Sequence, residues 1–206
     1  MIPAFLNSKQ QLFDLWAPSY DFPLLSVFYQ AIHKRLLEYV NLSEPLNVLD
    51  LGCGTGRLLD RLATQFPHLK GTGLDLSAQM LREARRRNRH HPRLIYVQGN
   101  AEELPFAEAQ FSAVFNTLSF LHYPNPEQVF AQLSRVLQPG GQFYLVDPTA
   151  RLAGTQRVAI SPGGLRLYSP EVREQLGAKV GLSCSDHHYL LGSVLLTIFV
   201  RSSDNE

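Results

Sequence analysis

Between Val48 and Leu59 the chain reads VLDLGCGTGRLL, in which Asp50 precedes three glycines, Gly52, Gly54 and Gly56, at alternate positions. Glycines spaced that closely after an apolar run mark a tight strand-to-helix turn. Backbone can approach a ligand there, and the first N–H groups of the helix have no partner of their own. Such turns also arise for purely structural reasons, so the spacing has to discriminate. A dinucleotide fingerprint G-x-G-x-x-G begun at Gly52 would require glycine at position 57, which is Arg57. Asp75 closes the next apolar run, about 20 residues downstream, where a carboxylate can accept from both hydroxyls of a ribose. The pattern supports an adenosine and gives no support to a pyrophosphate.

Other residues carry proton or cation chemistry. His122, in SFLHYPNP, follows a later strand and either takes a proton from an acceptor or shapes the pocket. Tyr20, in APSYD, either covers the site or caps a surface turn. Trp16, Phe120 and Tyr123 offer aromatic faces to a cationic ligand, plain packing being the simpler reading of Phe120. Asp147 ends a strand and either orients an acceptor or caps the turn after it. His33, His187 and His188 lie on helix or strand patterns without partners at metal-ligand spacing, and Cys53 and Cys184 form no spaced framework. They read as structural or exposed, and no metal is expected. Arg82, Arg85, Arg86, Arg87, Arg89 and Arg93 are spread around one helix without aromatic interleaving, a solvated face and not a nucleic-acid surface.

The elements that position these groups follow from periodicity. Short apolar runs at Val48 to Leu51, Gly71 to Leu76, Leu94 to Val97, Phe111 to Phe115 and Gln142 to Val146 alternate with helical patterns, which is the signature of βα units and a doubly covered parallel sheet. The helices are GRLLDRLATQF, SAQMLREARRRNRHH opened by Ser77, and Pro126 to Leu137 closed by Pro139-Gly140-Gly141. After Asp147, PTARLAGTQRVAISPGG reads as a loop over the carboxyl edge of the sheet, with Gly163-Gly164 letting it move. A helix from Ser169 to Val180 and two antiparallel strands, Ser183 to Leu190 and Val194 to Val200, complete the pattern. Two helical patterns, Ser8 to Trp16 and Leu24 to Val40, precede the first strand and must pack on or over the sheet.

With 206 residues, 45% hydrophobic and 18% charged, the chain suits one domain with one core. We expect residues 1–45 to form a helical lid and residues 46–206 the core. A net charge of +1 gives no electrostatic reason for a nucleic-acid or membrane partner, and a small acceptor is the milder expectation. No signal peptide or membrane span is legible, which places the protein in the cytoplasm. The oligomeric state stays open.

In order along the chain, FDLWAPSYD, VLDLGCGTGRLL, GLDLS, GNAEELPF, NTLSFLHY and RVLQPGG resemble the class I S-adenosylmethionine-dependent methyltransferases, and among them the small-molecule group that includes the ubiquinone/menaquinone biosynthesis enzymes. The resemblance implies a Rossmann-like, doubly wound α/β fold with a seven-stranded sheet in the order 3-2-1-4-5-7-6, strand 7 antiparallel, under an N-terminal helical lid. It implies S-adenosyl-L-methionine as cofactor. Asp50 and the backbone of the loop at Gly52, Gly54 and Gly56 would hold its methionine end, Asp75 its ribose, and Leu76, Met80, Asn100 and Ala101 its adenine, with Asn116 in the same set. Asn100 stands where the family usually has aspartate, and an amide oxygen accepts without charge assistance. The implied reaction is methyl transfer to oxygen, nitrogen or carbon of a small molecule. The alternatives are a non-catalytic module binding the same cofactor, or an enzyme of this fold using the cofactor for another transfer. Methyl transfer needs alignment above all, and a base only where the acceptor must lose a proton.

Overall fold

In a computed structural model the described residues are 23–42, 44, 46–150, 154–159 and 164–203. Helix α1 (Pro23–Leu37) leads into β1 (Asn47–Leu51), α2 (Arg57–Gln65), β2 (Lys70–Asp75), α3 (Ala78–Arg87) and β3 (Leu94–Gln98). Then follow β4 (Phe111–Thr117), a single 3-10 turn (Phe120–His122), α4 (Pro126–Val136) and β5 (Leu137–Pro148). A hairpin, β6 (Thr155–Val158) and β7 (Leu165–Tyr168), precedes α5 (Pro170–Ala178), β8 (Leu182–Leu191) and β9 (Val194–Arg201).

The main sheet has seven strands in the order β3-β2-β1-β4-β5-β9-β8. Strands β1 to β5 pair in parallel, and β9 runs antiparallel to both β5 and β8. With the hairpin set aside, β8 and β9 are the sixth and seventh strands of the expected order. Alternate residues of each central strand feed two separate cores, as the period of two requires. Val48, Ala113, Phe115, Tyr144 and Val146 meet Ile32, Leu36, Leu58, Leu62 and Leu81 of α1 to α3. Leu49, Val114, Phe143 and Leu145 meet Val129, Phe130 and Leu133 of α4 and Leu176 of α5. Both faces are therefore covered, which explains why these strands read as continuous apolar runs.

Local signals set the helix starts. Ser77 caps α3, its hydroxyl accepting from Met80 N at 3.1 Å, and Asn125 caps α4 ahead of Pro126. The arginine run is largely tied to its own surroundings. Arg85 donates to Tyr96 O at 2.8 Å, and Arg93 donates to Ala63 O and Leu69 O at 3.1 and 3.0 Å, joining α2 to the approach to β3.

The segment after Asp147 departs from the expected loop. Within it Thr155–Val158 and Leu165–Tyr168 pair as an antiparallel hairpin outside the main sheet. Each run is four residues long and flanked by glycine or proline, too short for a periodicity signal. Arg166 of β7 donates to Tyr123 O at 3.0 Å and to Pro124 O, so this strand is pinned beside the segment following the 3-10 turn. Helix α4 also ends one residue early, and Pro139-Gly140-Gly141 lies inside the long β5, whose first residue pairs with Phe111 before a register shift. The expected helix Ser8 to Trp16 lies outside the described residues. Among the described residues no helix is long and apolar enough to cross a membrane.

Candidate active site

The carboxyl ends of β1, β2 and β4 frame a cleft. The glycine turn after β1 is fixed first by backbone: Gly52 N and Cys53 N both donate to Leu74 O, at 2.8 and 3.0 Å. Gly52 has φ +73°, and a Cβ there would stand 2.4 Å from Ser119 Oγ. Gly56 has φ +77°, and a Cβ there would stand 2.5 Å from the Tyr96 hydroxyl. Conformation and packing thus demand glycine at both positions. What the turn offers a ligand is its backbone, and Gly54 shows how. Its N–H donates to Asp75 Oδ2 at 2.8 Å while Ser77 N donates to Oδ1 at 2.9 Å. Two short bonds orient the half-buried Asp75 carboxylate at the cleft.

The cleft measures about 780 Å³ with its open mouth included. Asp75, Leu76, Met80, Asn100 and Ala101 come from the β2 and β3 side, Thr117, Ser119, His122, Tyr123 and Pro124 from the β4 side, and Gly52 and Gly54 from the turn after β1 between them. The Asn100 amide oxygen accepts from Glu102 N at 3.1 Å, an Asx turn that uses one of its two lone pairs. A smaller recess shares Gly52, Gly54 and Thr117 and adds Tyr29, His33, Asp50, Thr55 and Arg57. Burial, and then the neighbouring Asp75, push the Asp50 carboxyl up to about 8. Burial, followed by Arg61 and Arg57, takes His33 down to about 4, so its ring is neutral at pH 7. The recess therefore holds a carboxyl group that would favour a cation as neighbour.

The end beyond Thr117 is built on buried polar side chains. Leu118 leaves β4 with φ +56°, an uncommon conformation for a non-glycine residue, and donates to Val146 O at 2.7 Å. Asn116 Nδ2 lies 2.8 Å from Leu51 O, 2.8 Å from Ser119 Oγ and 3.0 Å from the Tyr123 hydroxyl. This knot ties the end of β1 to the chain beyond β4. Asp147 Oδ2 accepts from Leu121 N at 3.2 Å and thereby holds the turn that carries His122. Burial lifts the Asp147 carboxyl to about 7, against the opposing pull of Arg173.

The expected residues divide accordingly. Gly52, Gly54, Asp75, Leu76, Met80, Asn100, Ala101, His122 and Tyr123 line the cleft, and Asp50 lines the recess. Gly56 starts α2 from beneath the turn, and Asn116 is fully buried in the knot behind the wall. Phe120 does not wall the cleft: its ring is 1% exposed and packs on Phe130 and Tyr168 at 5.4 and 5.2 Å. Asp147 is 2% exposed and positions the 3-10 turn from behind. Trp16 and Tyr20 lie outside the described residues. Sequence reasoning missed Thr117, Ser119, Tyr29, Arg57 and His33. The two on α1 have no local signal, because only tertiary packing brings that helix to the recess. Thr117 and Ser119 sit inside the quoted NTLSFLHY, where hydroxyl side chains at a strand end were the available clue.

A methyltransferase-domain family matches residues 48–141, the stretch from the first strand through the start of β5. The chain is similar to the demethylmenaquinone methyltransferase of Chlorobaculum parvum, 33% identical over 149 residues that span 69% of this chain and 60% of the relative. It spans less than two thirds of that protein. The demethylmenaquinone methyltransferase of Deinococcus radiodurans is 31% identical over 92% of this chain and 78% of its own length. The malonyl-[acyl-carrier protein] O-methyltransferase of a Marinomonas species is 32% identical over 97% and 67%. In fold, the chain superimposes with TM-score 0.78 and 20% identity on a chain of a complex that contains the Haloferax volcanii Trm112 methyltransferase activator, covering 92% of this chain and 97% of the other. The strand order, the glycine turn facing an anchored Asp75, and relatives matched across most of both chains lead to one conclusion: this protein belongs to the class I S-adenosylmethionine-dependent methyltransferases, whose cofactor is S-adenosylmethionine.

Proposed function

We propose that the chain is a single-domain enzyme that transfers the methyl group of S-adenosylmethionine to a small molecule with an apolar body. The observation that carries this reading is a single cleft at the carboxyl edge of the sheet that is lined by Asp75, fixed by the glycine turn, and by His122. The groups present fit the cofactor. Asp75 is oriented to accept from ribose hydroxyls, Leu76 and Met80 supply apolar surface for adenine, and Asp50 stands in a recess beside the glycine turn where a cationic methionine end is favoured. Asn100 keeps one amide lone pair for the adenine amine. Tyr29, His33 and Arg57 line the same recess, where the Arg57 guanidinium would hold the methionine carboxylate.

When bound, the cofactor supplies an activated methyl group on a strong leaving group. The residues of this chain bind, align and exclude water. His122, on a turn fixed by Asp147, is the group placed to take a proton from the acceptor, and the Asn116, Ser119 and Tyr123 knot holds the wall beside it. The relatives' names include a quinone precursor, whose ring is apolar, and a malonyl group held on a carrier protein, which is polar. The cleft favours the apolar one, because Leu74, Leu76, Met80, Leu118, Tyr123 and Pro124 line it beside its polar groups. The near-neutral charge gives no attraction for nucleic acid, and we place the protein in the cytoplasm.

The test is incubation with methyl-labelled S-adenosylmethionine and a pooled panel of quinols, phenols, fatty acids and amines, followed by mass spectrometry. A labelled product together with S-adenosylhomocysteine is the expected result. Tight binding of the cofactor with neither product nor S-adenosylhomocysteine across the panel would favour a binding module. S-adenosylhomocysteine without a methylated product, or a product carrying another fragment of the cofactor, would favour a different transfer.

A further inference from the structure

Far from the cleft, on the edge strand β8, three side chains of different chemistry converge. Strand β8 is separated from β1 by β4, β5 and β9. In a regular strand, Cys184 and His187 would point to opposite faces. Here the pairing shifts between Cys184, opposite Phe199, and Asp186, opposite Ile198, so Ser185 is the extra residue of a bulge. Cys184 and His187 consequently lie opposite Phe199 and Thr197, two residues on one face of β9. Re-aiming a side chain at a sheet edge is a common use of bulges. Helix α5 packs on that face and brings Glu174 to the same point.

We propose that Glu174, Cys184 and His187 form a binding site for one zinc-like divalent cation, clipping α5 to the edge strand. His187 Nε2 lies 2.9 Å from Glu174 Oε1 and 3.5 Å from Cys184 Sγ, and the three ligand atoms lie within 4.8 Å of one another. Tetrahedral zinc with ordinary bond lengths puts ligand atoms about 3.4 to 3.6 Å apart, so the set needs an opening of roughly half an ångström on the carboxylate side. Thiolate and carboxylate together neutralise a dication, and imidazole, thiolate and carboxylate are all ordinary zinc ligands.

The arrangement argues against two simpler readings. In a thiol activated by histidine, the thiol and the carboxylate would take opposite ring nitrogens. Here both face Nε2, while Nδ1 lies 3.0 Å from the Thr197 hydroxyl. That hydroxyl is itself held at 3.3 Å by the buried Arg173, and a ligating histidine is ordinarily fixed in this way through its other nitrogen. A surface ion pair of Glu174 with His187 would account for neither the thiol nor the bulge. Asp186 does not join the set, because its carboxylate accepts from His187 N and pairs with His188 at 3.0 Å. The fourth position opens on a hollow lined by Ala178, Leu182 and Ser183, where water completes the shell. Spacing along the sequence gives no hint of such a site, since Glu174 comes from another element.

Cobalt titration of the reduced full chain tests the site, because cobalt bound to a thiolate absorbs in the near ultraviolet. The chain has two cysteines, and Cys53 is buried in the glycine turn, so such a band reports Cys184. We expect one cobalt per chain with a charge-transfer band, displaced by zinc and absent in Cys184→Ser. His187→Ala and Glu174→Gln should each weaken cobalt at least tenfold, and zinc should raise the Tm of the wild type while leaving that of Cys184→Ser unchanged. No band in the folded, reduced wild type would overturn the proposal. So would a band that survives Cys184→Ser, or an affinity unchanged in both other variants. Because each of the three side chains is at least partly exposed, circular dichroism should show all variants folded.

Discussion

The two ends of the cleft are held in place by different means. The end proposed for the adenosyl group is set by backbone: glycines of positive φ, donations from Gly52 and Cys53 to Leu74 O, and an aspartate fixed by two neighbouring N–H groups. The far end is set by side chains, with the buried Asn116 knotted to Ser119 and Tyr123 of the wall and Asp147 beneath the His122 turn. Backbone turns tolerate changes in nearby side chains, whereas a side-chain knot transmits them. The cofactor end should therefore be stable to substitution in shape and sensitive in charge, and the acceptor end sensitive in rate.

The largest effect is expected at His122. His122→Ala should lower turnover by about a hundredfold or more if the ring takes the acceptor's proton, with cofactor affinity changed by less than about threefold. Equal turnover with a raised acceptor KM would reduce His122 to a shaper of the pocket. It would also favour an acceptor that attacks through a free lone pair.

Next comes the recess. Asp50 has a carboxyl raised to about 8, so at neutral pH the free protein holds it largely protonated. A cationic ligand end favours the ionised form, so binding releases a proton and affinity should rise with pH up to about 8, by at most about tenfold per unit, then level off. Calorimetry in buffers of different ionisation enthalpy reads the release directly. Asp50→Asn should remove the part of the slope that belongs to this residue. The sign for stability is opposite: a carboxyl with a raised folded pKa binds more protons folded than unfolded, so the free protein loses stability as pH rises from about 4 towards 8. Thermal melts of Asp50→Asn should be flatter over that window. A wild-type affinity that falls with pH while the variant's does not would contradict the placement of the cation.

The smallest effect is expected at Asn100. Asn100→Asp keeps the acceptor for Glu102 N and adds charge to the bond with the adenine amine, so cofactor binding should tighten a few-fold or stay the same. A clear loss would mean that the amide makes a bond to the ligand that a carboxylate cannot.

What could be read from the sequence follows the same division. The strand order is what the family resemblance implies, while the glycine turn and the place of Asp75 at the end of β2 follow from motif spacing, and the structure has that order and sets Asp75 against the turn. In the sequence Phe120 is a candidate aromatic face beside plain packing, and Asp147 a candidate for orienting the acceptor beside capping a turn. Their side chains turn into the core, and no pattern in sequence tells which side of a strand end faces a cleft. His33 was read as structural and is buried, yet it borders the recess, because α1 reaches the sheet only through tertiary packing. The hairpin β6–β7 escaped notice because four-residue strands beside glycines carry too little periodicity.

The most direct measurement is a calorimetric titration of S-adenosylmethionine into the wild type and Asp75→Ala, with circular dichroism confirming that the variant is folded. The account predicts one site in the wild type. In the variant, roughly tenfold to hundredfold weaker binding is expected, since a buried hydroxyl pair loses a charged acceptor worth about 1.5 to 3 kcal/mol. Unchanged affinity in a folded Asp75→Ala would show that the cofactor does not lie across this glycine turn.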